Sequence, residues 1–260
     1  MSEPQESPEK NAHAAKPRRL RRSVFVLPSL FTVANLFCGY YAILLTMNQM
    51  YRQAAIAIGI AILLDSMDGF IARLTNSTSE FGLQLDSLAD VLSFGVAPSI
   101  LVLNWGLMLS IDSRLAGAAA FAFTVSGATR LARFNVQSGN LKHFVGLPIP
   151  AAGGSIAAIV YFFEDPITDL VYANIMLAVT FILAFLMVST LRYNSLKGVA
   201  IGKKSHFVVL VIALLFALIF FLSRPTLLIL AACYTLSGPI LKFCGLLRRK
   251  KPDEALQPTD

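Results

Sequence analysis

The sequence predicts an all-α fold: a polytopic membrane helix bundle of about eight transmembrane helices, with both termini cytoplasmic. Three observations predict it. Hydrophobic residues fill 56% of the 260 positions and charged residues only 14%, where a soluble domain carries about a quarter charged residues. The apolar residues gather in continuous runs close to the roughly 20 residues that cross a hydrocarbon core of ~30 Å. The basic residues sort onto alternate connections between those runs.

The runs are 24–47, 53–74, 82–109, 115–132, 149–163, 170–189, 207–222 and 226–246. The fifth is the shortest, and Pro148 and Pro150 make its start irregular. Helices are expected because lipid forces each backbone group to find its partner within the segment. Apolarity is continuous rather than alternating, which argues against a β-barrel. An even number of spans leaves both termini on one side. All 22 Lys and Arg except Arg52, Arg114 and Arg224 then share that side, which the positive-inside rule makes cytoplasmic. An odd number would expel one of the two basic termini.

Residues 1–22 mix Pro, Glu, Ser and Ala without apolar periodicity and read as a disordered basic tail. The apolar stretch after them exceeds the h-region of a signal peptide and lacks a clear cleavage context. The membrane domain is expected over 23–247, with a short cytoplasmic tail at 248–260. The net charge of +7 is a topology signal: basic tails beside membrane spans meet anionic lipid headgroups rather than nucleic acid. Arg192 to Lys204 reads as a basic cytoplasmic loop of the same kind. Cys38, Cys233 and Cys244 lie in or at the end of apolar runs without metal-ligand spacing, and read as buried, reduced thiols. Trp105 and Tyr161 read as anchors at the outer interface.

Carboxylates inside spans are costly and call for a reason. Asp65 and Asp68 are i,i+3 near the end of the second run, and Asp86 and Asp90 are i,i+4 near the start of the third. Each pair shares a helix face. The two helices are antiparallel neighbours joined by a short polar loop, so the four acids can converge at one depth near the cytoplasmic end. Four like charges there would repel, and a divalent cation removes the difficulty. All-oxygen ligands suit Mg²⁺, Mn²⁺ or Ca²⁺ rather than zinc, with substrate phosphates completing a Mg²⁺ shell. Gly69, Ala72 and Gly82 leave room for a ligand near the backbone, and Arg73 can bind a phosphate in bidentate fashion. Small residues alone would be assigned to helix packing. Four Asp beside one Arg within residues 65–90 do not balance without a cation.

These residues resemble the CDP-alcohol phosphatidyltransferase family. Its pattern, D-x2-D-G-x2-A-R-x8-G-x3-D-x3-D, is matched at every fixed position and gap by Asp65, Asp68, Gly69, Ala72, Arg73, Gly82, Asp86 and Asp90. The resemblance implies a binuclear site for Mg²⁺ or Mn²⁺ that binds the pyrophosphate of CDP-diacylglycerol. It implies Asp65, Asp68 and Asp86 as metal ligands, and Asp90 as both a ligand and the catalytic general base. Gly69, Ala72, Arg73 and Gly82 would cradle the nucleotide. The implied reaction attacks the phosphorus joined to diacylglycerol and releases CMP. Homodimers are common among such relatives. A bacterial inner (cell) membrane location follows, with the active site facing the cytoplasm, where a lipid donor meets a water-soluble acceptor.

Four flanking stretches resemble the branch of the family whose acceptor is L-serine: LPSLFTVANLFCG at 27–39, DSLADVLSFGVAP at 86–98, RLARFN at 130–135 and FVGLPIPAA at 144–152. Ser29 departs from the Asn that many relatives carry after the proline. Arg130 and Arg133, i,i+3 near the end of the fourth run, are candidates for the serine carboxylate, with Asn135, Lys142 and His143 expected in the following loop. Snorkelling to the interface explains either arginine equally well. Asn35, one turn after Thr32, is a candidate contact for the CDP-lipid or an interhelical hydrogen bond.

Two alternatives stand beside this reading. The same chemistry can serve another acceptor, such as glycerol 3-phosphate, inositol phosphate or choline, although a phosphorylated acceptor calls for a denser basic pocket. A cation- or proton-coupled transporter would place its acids near the midplane, often on broken helices in repeated halves. Here the acids cluster toward one end of one helix pair.

Overall fold

The computed structural model describes residues 19–75, 80–137, 144–193 and 224–248, with side chains described over 30–68, 80–136, 146–191, 225–240 and at 242. Helices α1 (Arg19–Met47) and α2 (Tyr51–Thr75) form an antiparallel pair. Helix α3 (Glu80–Leu107) follows, then α4 (Ser113–Gln137). Helices α5 (Ile149–Phe163), α6 (Leu170–Val188) and α7 (Arg224–Arg248) complete the described bundle. A two-residue antiparallel pairing joins Phe144 to Tyr193 and Val145 to Arg192. The seventh apolar run, 207–222, lies outside the described residues, as do Lys142, His143 and Lys197 to Lys204.

Among the described residues, four helices are long and apolar enough to cross a membrane: Leu30–Met47, Glu80–Leu107, Ser113–Val136 and Leu170–Val188. The chain is an integral membrane protein. Helix α2 has the length, at 25 residues, but its described part carries Arg52, Asp65 and Asp68, so its acids cost it the hydropathy of a plain span. Helix α5 reaches only ~22 Å at 1.5 Å per residue. Large apolar side chains on the outside include Phe37, Phe121 and Phe185, a surface suited to lipid rather than water.

The core is built from small residues. Ala42, Ala54, Ala57 and Ala61 are buried between α1 and its neighbours, which lets backbones approach closely. Helix α3 is wound as π-helix over Val91–Val96 and again over Leu103–Leu107. The first π segment directly follows Asp90 and precedes Pro98, which has no N–H to return to the carbonyl four residues back; a locally wider turn absorbs that loss. Two glycines seat this segment. A Cβ on Gly39 of α1 would run into the Ser93 side chain and stand 2.7 Å from its Cα, and one on Gly153 of α5 would stand 2.7 Å from the Phe94 carbonyl oxygen.

Several expectations need correction. Helix α1 starts at Arg19, so helix reaches into the stretch read as a disordered tail. Trp105 is no interfacial anchor. It is fully buried, its indole N–H donates to the Glu164 carbonyl at 3.3 Å, and its own carbonyl accepts from Ile167 N–H at 3.0 Å. A buried indole needs such a partner, and the α5–α6 connection supplies it. Tyr161 carries Arg52 over its ring at 5.7 Å, and Arg52 Nε pairs with Glu164 at 3.1 Å. Cys38 is half-buried and Cys233 exposed; an apolar helix can turn a thiol toward lipid at little cost. The side chain of Cys244 lies outside the described set.

Gly39→Ala is expected to cost about 1–3 kcal/mol by overpacking, read as a lower thermal midpoint in detergent. Gly59→Ala, at a position with open space around it, is expected to leave that midpoint unchanged or raise it.

Candidate active site

The acids converge as the helix periodicity demands. Asp65 and Asp68 come from one face of α2 and Asp86 from the first turns of α3, and one carboxylate oxygen from each lies within 4.8 Å of the others. Asp68 is buried, and Asp65 and Asp86 are half-buried. The ligand shell of one Mg²⁺ spans about 4 Å at Mg–O distances of 2.0–2.1 Å, so slight side-chain adjustment fits the three to a hard divalent cation. Asp90, one turn along α3 from Asp86, lies outside that trio. It is buried, stands within hydrogen-bonding reach of Asp65 and feels the charges of Asp86 and Asp68.

Helix α1 meets the acids from the third side. Thr32 Oγ1 donates to Asp68 Oδ2 at 3.3 Å, and Asn35 Nδ2 lies 3.5 Å from Asp90 Oδ1 at the long limit of a hydrogen bond. Ser93 Oγ, in the π segment, donates to the Asn35 carbonyl at 3.0 Å. The Asn35 side-chain oxygen is buried and has no hydrogen-bond partner among the described residues, which leaves an acceptor free in the site.

The two arginines separate. Arg130 is 93% shielded, with only 7% of its surface exposed, and its Nε has no hydrogen-bond partner among the described residues. It lies near enough to Asp90 to interact with it, so it does not snorkel. Arg133 donates to the carbonyls of Val188 at 3.1 Å and Met187 at 3.5 Å, where a cation satisfies the end of α6. Asn135 is not in a loop. It sits in the last turns of α4 and donates to Ser87 Oγ at 2.9 Å. Gly82 is half-buried at the start of α3. Gly69, Ala72 and Arg73 lie on the helical backbone of α2, and their side chains fall outside the described set.

Sequence reasoning missed Ser87 and Ser93. Their only signal is spacing: each falls on the Asp86–Asp90 side of α3, where a hydroxyl in an apolar helix has a use.

A bundle that gathers three carboxylates into a cation-sized cluster, with a fourth buried beside it, defines a class of membrane proteins with a metal-binding acidic site. The chain belongs to the CDP-alcohol phosphatidyltransferase family, whose pattern matches residues 25–186. It is similar to the CDP-diacylglycerol–serine O-phosphatidyltransferase of Helicobacter pylori strain 26695, at 34% identity over 72% of this chain and 80% of the relative. It is 37% identical to the archaetidylserine synthase of Methanothermobacter thermautotrophicus over 68% of this chain and 72% of that protein. A third relative, the CDP-diacylglycerol–serine O-phosphatidyltransferase of Bacillus subtilis, is 33% identical over 66% of this chain and 91% of its own length.

Mn²⁺ is expected to raise the thermal midpoint of the purified chain, and Asp86→Asn is expected to abolish that rise. At a hundredfold excess over its Kd a cation contributes about 2.7 kcal/mol, so loss of one of three ligands is readily seen without any activity assay.

Proposed function

We propose that this chain transfers the phosphatidyl group from CDP-diacylglycerol to the hydroxyl of L-serine, giving phosphatidylserine and CMP, in a bacterial inner (cell) membrane. The observation that carries the reading is the carboxylate trio within 4.8 Å beside buried Asp90, on the motif of a family in which two of the relatives named above are CDP-diacylglycerol–serine O-phosphatidyltransferases. The membrane domain spans 23–247 between cytoplasmic tails 1–22 and 248–260, with about eight helices and the site facing the cytoplasm. A homodimer is the assembly in keeping with the family.

Asp65, Asp68 and Asp86 would hold Mg²⁺ or Mn²⁺, with Asp90 completing a second of two cation positions. The bound cations supply charge neutralisation on the pyrophosphate and on the departing CMP. The chain's own residues do the rest. Asp90 accepts the proton of the serine hydroxyl as its oxygen bonds to the phosphorus carrying diacylglycerol, and the phosphorus–oxygen bond to CMP breaks. Asn35 orients Asp90 through its amide N–H and offers its side-chain oxygen, which has no partner among the described residues, to the CDP-lipid. Gly69, Ala72 and Gly82 leave space for the nucleotide, and Arg73 binds its phosphate. Arg130, buried and with no partner for its Nε among the described residues, takes the serine carboxylate. Arg133 and Asn135 support the pocket by fixing α6 and α3 rather than by touching the acceptor.

Metal-dependent CMP release from CDP-diacylglycerol, required for this reading, is not expected of a cation- or proton-coupled transporter. Release that depends on glycerol 3-phosphate, inositol phosphate or choline instead of serine would overturn the acceptor. Asp90→Asn is expected to lower kcat at least about a hundredfold while CDP-diacylglycerol binding and folding persist. Arg130→Gln is expected to raise the KM for serine more than about tenfold; Arg133→Gln is expected to lower the thermal midpoint and leave that KM within twofold.

A further inference from the structure

Asn35 of α1 is gripped by α3 at two points. Its side-chain Nδ2 lies 3.5 Å from Asp90 Oδ1, and its main-chain carbonyl accepts the Ser93 hydroxyl at 3.0 Å. Between Asp90 and Ser93 the winding of α3 changes to π, starting at Val91. Asp90, Ser93 and Asn35 therefore close a ring that joins the two helices. Asn35 and Ser93 are fully buried and Asp90 nearly so, so little solvent competes for these bonds.

The two grips differ in strength. At 3.5 Å the amide contact is too long to hold the Asn35 side chain in one direction by itself. The Ser93 bond has ordinary length and uses the second lone pair of a carbonyl within the α1 ladder, so it costs α1 nothing. Ser99 and Ser155 turn their hydroxyls to carbonyls of their own helices, Val96 at 2.8 Å and Ala151 at 2.8 Å. Ser93 crosses to another helix instead. That approach requires Gly39, one turn beyond Asn35, because a Cβ there would stand 2.7 Å from the Ser93 Cα. A glycine, a π turn and a hydroxyl directed across the interface thus converge on the backbone of the residue whose side chain faces Asp90.

We infer that Ser93 is a positioning residue for the reaction: its bond to the Asn35 carbonyl fixes α1 against the turn after Asp90, so that the Asn35 amide holds the Asp90 carboxylate in the direction from which it takes the acceptor's proton. The inference rests on the reading of Asp90 as the general base. Ser93 acts through Asn35 and not on the substrates. A small displacement of the base lowers the rate of the chemical step without weakening the hold on the acceptor.

The test uses the full chain in detergent–lipid micelles with CDP-diacylglycerol, L-serine and Mn²⁺. Ser93→Ala removes the hydroxyl and adds no bulk. Its kcat is expected to fall about fivefold to tenfold, the scale of one neutral hydrogen bond, with the KM for serine within about twofold. Ser99→Ala removes another buried α3 hydroxyl, farther from the acids, and reports a purely structural loss. It is expected to lower the thermal midpoint much as Ser93→Ala does and to keep kcat within about twofold. In an Asn35→Ala background, Ser93→Ala is expected to change kcat by less than about twofold, because the side chain it positions is gone. A kcat within twofold of wild type in Ser93→Ala, an equal loss in Ser99→Ala, or a loss of twofold or more in the Asn35→Ala background overturns the inference. Asp90→Asn with wild-type kcat overturns the general-base reading instead. An impaired Asp90→Asn beside an unimpaired Ser93→Ala overturns only the role of Ser93.

Discussion

Mutual repulsion among carboxylates held close together in an apolar slab is the constraint on which the rest of the molecule depends. Asp65, Asp68 and Asp86 bring their oxygens within 4.8 Å, and Asp90 is buried next to them. Such a cluster is unfavourable unless cations and hydrogen-bond donors surround it. The polar groups of the surrounding helices answer that need. Thr32 and Asn35 approach from α1, and the Arg130 guanidinium is buried near Asp90.

Holding those donors in place falls to backbone contact rather than to large side chains. Gly39 lets α1 touch the π-wound turn after Asp90, and Ser93 in that turn fastens itself to the Asn35 carbonyl. Gly153 lets α5 close on the same turn from the opposite side. A π turn shifts the register of the residues after it by about a third of a turn relative to a regular helix, which changes the faces that α3 presents before and after Asp90. The acidic face and the packing face of one helix can thus be set separately. Away from the site, Arg52, Tyr161, Glu164 and Trp105 tie α2, α3 and the α5–α6 connection into a second, outer brace.

Much of this was legible in the linear chain. The six apolar runs from 24–47 to 170–189 and the one at 226–246 correspond to helices with ends shifted by only a few residues, because lipid leaves the backbone no other choice. The i,i+3 and i,i+4 spacing of Asp65, Asp68, Asp86 and Asp90 dictated which face each acid takes, since helical periodicity is local. Trp105 was misread for a related reason: hydropathy and position along a span cannot tell whether a side chain faces lipid or a neighbouring helix. Asn135 was misread because the polar residues that end an apolar run can continue a helix as readily as leave it.

By itself the sequence determined the helical membrane class and the acidic motif, both of which follow from composition and periodicity along one chain. Only the tertiary structure decided how similar residues divide their work. Arg130 and Arg133 are one turn apart on the same helix, yet one is buried near Asp90 and the other caps α6. That division depends on what stands opposite each side chain, the cluster of acids or a helix end, and no spacing along α4 records it.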